Sequence, residues 1–183
     1  MKSTETSIIS LTHNIGFTLV DLLTALSIFL ILTTIAVPSF TQLSRRKAQE
    51  TDVNSLLHLL NFSRQEAVNR STHIVICSSE NDETCTKDWK YPIIVFVDDN
   101  NNHKWDLSEM LLRRHTLGNS QQQLNWRSAL NYLSFDANGT TGYQNGRFYF
   151  CSTHSEEYRA QLIVYRTGRT RLASEAELKT GCG

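Results

Sequence analysis

The sequence predicts an α+β chain: one long N-terminal helix followed by an antiparallel β-domain. An apolar block fills Phe17 to Val37, a helical stripe continues beyond it, and from His73 the pattern breaks into short β-branched and aromatic runs. The 183 residues suit one globular domain plus an appendage. Eighteen Lys and Arg balance eighteen Asp and Glu, so overall charge selects no polyanionic partner and only a local patch can.

The block from Phe17 to Val37 spans about 30 Å as a helix, the thickness of a bilayer core. Its one charged residue is Asp21. A carboxylate costs about 2.5–3.5 kcal/mol at the centre of a membrane helix and less near its end, and one kept there normally has a partner. Residues 1–16 form a polar leader with Lys2 and His13 as its basic candidates. Pro38 removes one helical hydrogen bond and favours a kink. Residues 38–70 continue the helix, with Val53, Leu56, Leu57, Leu60 and Ala67 at helical spacing along one stripe. Arg45, Arg46 and Lys47 suit an anchor at the far membrane surface.

Residues 71–183 form the head. Six runs read as strands: "HIVICS", "YPIIVFVD", "MLLRRHTL", "ALNYLSFD", "GRFYFCS" and "AQLIVYRTG". The stretches "DANGTTG" and "YQNG" read as turns. All four cysteines, Cys77, Cys85, Cys151 and Cys182, follow the apolar block. An even number in a polar domain points to two disulfides in an oxidising compartment.

No nucleophile elbow, zinc-protease helix or phosphate-binding glycine loop is present, and the histidines are scattered, so no enzyme is expected. Two stretches have binding chemistry. In "DDNNNHKWDLSE", Asp98, Asn100, Asn102, Asp106 and Glu109 stand at positions 1, 3, 5, 9 and 12 of a calcium-binding EF-hand loop, with the Lys104 carbonyl at 7. His103 replaces the usual glycine, and a polar hairpin loop is the competing reading. In "YRTGRTRLA", Arg166, Arg169 and Arg171 surround a turn at Gly168. Strand alternation puts Arg169 and Arg171 on one face, and guanidinium groups grip phosphates with paired hydrogen bonds. A solvated hairpin is the alternative. Lys179 extends the patch, and Glu175 and Glu177 oppose it.

The stretch "GFTLVDLL" resembles the N-terminal motif of type IV pilins and pseudopilins. The resemblance implies that a prepilin peptidase cuts between Gly16 and Phe17 and methylates the new amino group of Phe17. It also implies that Asp21 pairs with the N-terminal amine of a neighbouring subunit. Two positions depart from the family pattern: Asp21 stands where glutamate is usual, and "THNI" where a basic residue usually precedes the glycine. The strand order, with "ICSSENDETC", "DWKYPIIVFVDDNNN", "LSFDANGTTG", "GRFYFCS" and "LIVYRTGRTRLA", is similar to the GspH/FimT minor pseudopilins. That likeness implies a β-sandwich head with Cys77 bound to Cys85 and Cys151 to Cys182. It further implies that the G-R-x-R motif formed by Gly168, Arg169 and Arg171 binds double-stranded DNA in natural transformation. The expected protein is a minor pilin, single-pass in the bacterial inner membrane with its head in the periplasm, later built into a pilus among major and minor pilins. The alternatives are a GspH-type pseudopilin of type II secretion and a priming subunit without ligand. No cofactor is expected beyond calcium in the Asp98 loop.

Overall fold

The structure, a computed structural model, describes residues 18–118, 122–152 and 159–178. The chain divides into two compact units, Met1–Leu43 and Ser44–Gly183. Helix α1 (Leu19–Arg70) contributes to both and contains Pro38. In the first unit its side chains are almost all exposed, including Leu22, Ile28, Phe29, Leu30, Ile31 and Ile35. A helix this long and apolar can cross a membrane. So much apolar surface in water is unfavourable at about 25 cal/mol per Å², which fits a segment made for lipid or for neighbouring chains.

The second unit is the head. Among the described residues it has eight strands: β1 (Ile74–Ser78), β2 (Ile93–Val97), β3 (Leu111–His115), β4 (Gln122–Arg127), β5 (Tyr132–Phe135), β6 (Gly146–Ser152), β7 (Arg159–Val164) and β8 (Thr170–Leu172). They form two antiparallel four-stranded sheets, ordered β3-β2-β1-β5 and β4-β6-β7-β8. β4 and β8 extend the set read from sequence. β4 has only Leu124 and Trp126 as its apolar alternation, and β8 is three residues long. Alternate residues turn inward. Ile74, Ile76, Ile93, Val95, Leu133 and Phe135 of the first sheet join one core with Leu124, Phe148, Phe150, Leu162 and Val164 of the second. The same core takes Val53, Leu56, Leu59, Leu60 and Ala67 from α1. The helix stripe thus runs through Leu59, while Leu57 is only partly buried.

β1 and β2 are buried at every position. Their second face, Val75, Cys77, Ile94 and Phe96, lies under a separate apolar roof of Cys85, Trp105, Leu111 and Tyr132. A disulfide joins Cys77 to Cys85, eight residues apart, and fastens that roof to β1. Cys151 is also disulfide-bonded; Cys182, its expected partner, lies outside the described residues.

Closing a loop of eight residues removes about 2.5 kcal/mol of chain entropy from the unfolded state. A Cys77→Ala/Cys85→Ala variant of the full chain in detergent should therefore lose about 2–3 kcal/mol in denaturant melts. Loosening of the roof around Trp105 should also red-shift the native tryptophan emission.

Candidate functional site

The turn between β7 and β8 is held from below. Tyr165 N–H donates to the Arg169 carbonyl (3.0 Å) and Gly168 N–H to the Tyr165 carbonyl (2.8 Å), closing a tight reversal. Gly168 is buried with φ +75°. A Cβ there would lie 1.9 Å from the Gly139 carbonyl oxygen, so glycine is required by backbone conformation and by space. From α1, Arg64 donates through Nε to that same carbonyl (2.9 Å). Thr141 N–H donates to the Arg166 carbonyl (3.0 Å). Helix, β5–β6 loop and β7–β8 turn therefore meet at one point, and the turn's rim is fixed in place.

The three arginines then separate. Arg166 and Arg169 are exposed, and neither side chain meets an acceptor among the described residues. Arg171 is engaged. Its Nη1 and Nη2 donate to Oε2 and Oε1 of Glu177 at 2.7 and 2.6 Å. Nε and Nη2 also donate to the Tyr165 hydroxyl at 3.1 and 2.7 Å. The Glu177 pair, helped by Tyr165, pushes the Arg171 guanidinium further up. Arg171 in turn holds the Glu177 carboxyl well below the usual carboxylate range, with Ser174 adding to the effect. Lys179 lies outside the described residues.

Strand register adds two basic residues that lie far from the turn in sequence. Arg127 pairs with Arg147, Arg147 with Ile163, and Ile163 with Arg171. Arg127 is exposed, with its guanidinium 5.4 Å from the centre of the Tyr149 ring. Arg147 donates to the Gln161 side chain (3.1 Å) and the Glu177 carbonyl (2.9 Å). The sequence hint is the alternation in "GRFYF", where Phe148 and Phe150 enter the core and Arg147 and Tyr149 take the opposite face of the sheet.

The loop at 98–109 closes on itself. Buried Asp98 accepts from the Asn102 N–H (3.1 Å) and the His103 N–H (3.2 Å), and its Oδ2 lies 3.0 Å from His103 Nδ1. The side-chain amides of Asn100 and Asn102 both donate to Asp106 at 2.8 Å, and hold its carboxyl below the usual range. Glu109 accepts from the N–H groups of Asp99 (3.1 Å) and Asp106 (3.2 Å). His103, at the expected glycine position, is left-handed with φ 60°. Among the described residues no three carboxylate, imidazole or thiol groups converge as a metal site. In this arrangement the loop carries Trp105, whose indole N–H donates to the Glu109 carbonyl (3.1 Å), into the roof over β1 and β2.

At the other end of the chain, Asp21 takes part in a reciprocal cap. Thr18 donates its N–H (3.1 Å) and hydroxyl (2.7 Å) to the Asp21 carboxylate, and Asp21 N–H donates back to Thr18 Oγ1 (3.2 Å). This is a capping-box arrangement at the start of α1. Gly16 and Phe17 lie outside the described residues.

Residues 52–168, well over half of the chain, match the family model described as type II transport protein GspH. The chain belongs to the GspH family. This GspH-family chain also shares its fold with two crystal structures of the type IV minor pilin FimU from Pseudomonas aeruginosa. In crystals of space group P21 the likeness has a TM-score of 0.61 at 21% identity, covering 76% of this chain and 98% of the other. In space group P65 it is 0.56 at 22% identity, covering 73% and 99%. No curated protein matches the chain. Family and fold agree: a GspH-family chain with the fold of a type IV minor pilin. The family match ends at Gly168, so Arg169, Arg171 and Glu177 stand just beyond it.

A Gly168→Ala variant should lose at least about 2 kcal/mol, from left-handed strain plus the clash with the Gly139 carbonyl. Thermal melting of the full chain in detergent checks this. Thr167→Ala, one residue away on the exposed rim, should melt within a degree or two of the parent.

Proposed function

We propose that this chain is a minor pilin of a type IV pilus whose β7–β8 turn binds double-stranded DNA for uptake in natural transformation. The observation that carries the reading is the pair Arg166 and Arg169, two exposed guanidinium groups without acceptors among the described residues, on a turn that Gly168 locks against α1. Fixed cationic forks on a rim suit phosphate oxygens, which set affinity without reading sequence. The chain has no net charge, so one head binds weakly and several subunits along a filament supply avidity.

Before assembly the subunit sits in the inner membrane through residues 17–37, with the head in the periplasm. A prepilin peptidase removes residues 1–16 and methylates Phe17. Asp21 then exchanges its local cap for the amine of a neighbouring pilin, a partner that satisfies its charge in lipid.

Exchanging Arg166 and Arg169 together for Gln should remove most duplex-DNA binding in gel shifts. The melting curve and the yield of sheared pili should stay unchanged. Arg171→Gln alone should cost little, because its charge is already paired. Binding by the parent should weaken steeply with salt, as each phosphate contact releases a counterion. Equal binding by the double variant and the parent would leave a GspH-type pseudopilin of type II secretion as the better description.

Asp21→Asn separates the cap from the charge, since an amide still accepts from Thr18. Recovery of this variant in sheared pili should fall as far as that of Asp21→Ala, with both precursors still processed. Incorporation of Asp21→Asn at the parental level would reduce Asp21 to a helix cap.

A further inference from the structure

We propose that Glu177 is an internal competitor for phosphate: its carboxylate fills the anion site of Arg171 and sets how many arginines the turn offers to DNA. This rests on the DNA-binding reading of the turn. A carboxylate and a phosphodiester present a similar pair of oxygens to a guanidinium fork. Glu177 is received as a bound anion would be. Two guanidinium nitrogens reach it at 2.6 and 2.7 Å, and the Ser174 N–H and hydroxyl at 3.0 and 2.9 Å. The Tyr165 hydroxyl braces the guanidinium from its other edge.

Charge alone does not produce this arrangement. Glu175, two residues earlier on the same short 3-10 segment (Glu175–Glu177), is exposed and its carboxylate has no cationic partner among the described residues. The Arg171–Glu177 pair also faces solvent, with side chains 32% and 35% exposed. Ion pairs in such positions are weak and open readily, so an incoming phosphate can reach and replace the carboxylate. The segment has a second anchor that does not depend on that carboxylate: Arg147 donates to the Glu177 carbonyl at 2.9 Å. Its backbone can stay docked while the side chain swings out. Closed, the turn presents Arg166 and Arg169; open, it presents Arg171 as a third contact.

The test measures binding of the full chain, in detergent, to a duplex of arbitrary sequence over a range of salt. Glu177→Gln should bind about 3–10-fold tighter at low salt, and its log–log salt dependence should steepen by about 0.9, one added phosphate contact. Glu175→Gln, which removes the same charge nearby, should stay within about twofold of the parent, the size of a screened surface charge. Adding Arg171→Gln to Glu177→Gln should return affinity to the parental value. A gain that survives loss of Arg171, or an equal gain from Glu175→Gln, would mean general charge relief and would overturn the competitor. If Glu177→Gln melts early, Glu177→Asp keeps the charge but shortens the reach, and it too must gain affinity. A parent that binds through Arg166 and Arg169 with no gain in either Glu177 variant sinks this inference alone. A parent that binds no DNA, with variants equally silent, sinks the DNA reading with it.

Discussion

Every layer of the head depends on one stripe of α1. Leu56, Leu60 and Ala67 are fully buried, and among the described residues the core they enter is the apolar cluster to which both sheets contribute. Neither sheet is closed into a barrel, so each must cover its inner face with something. The helix stripe and the opposing sheet do so together. Truncating a fully buried leucine costs about 2–5 kcal/mol, a large part of a domain's usual margin. The first half of the same helix exposes its apolar side chains, and its composition answers to a different environment.

The same helix also positions the candidate site. Arg64 lies on the face of α1 that reaches the β5–β6 loop, and its hydrogen bond to Gly139 places the carbonyl against which Gly168 is pressed. A helix residue thereby determines where a turn over a hundred positions later can sit. Arg166 and Arg169 are fixed through their backbone carbonyls, while their side chains meet no acceptor among the described residues. A long side chain tethered only at its Cα retains rotamer freedom, but its origin is set, which lowers the ordering cost of meeting a ligand.

Much of the fold was legible because its signals are local. The helix end at Arg70 and six of the eight described strands follow from periodicity and β-branched content. β4 was not, since "QQLNWR" carries its alternation on one leucine and one tryptophan amid polar residues that a solvent-facing side permits. Site chemistry was legible in residue type and not in partnership. The sequence treats Arg169 and Arg171 alike, yet Arg171 is drawn to Glu177 and Tyr165 by the register of β7 and β8 and the path of the chain after them. The reason for Gly168 was equally hidden: the turn needs a positive φ, but the oxygen that forbids a side chain belongs to another loop. The spacing of Asp98 to Glu109 suggested ligands, while the structure shows the same oxygens receiving the loop's own N–H groups.

The reciprocal cap of Thr18 and Asp21 bears on waiting time. In hydrocarbon an unsatisfied polar group costs several kcal/mol, and helix starts have four N–H groups without intrahelical partners. Here the hydroxyl and carboxylate occupy one another and the first-turn backbone, so a solitary helix start needs no second chain to shelter these groups. On the proposed membrane-anchored reading, such a subunit can dwell in the bilayer as a reserve. In the assembly proposed above, recruitment becomes a change of partner for one carboxylate, from the Thr18 groups to a neighbour's amine, and its pace is set by how quickly the old hydrogen bonds open.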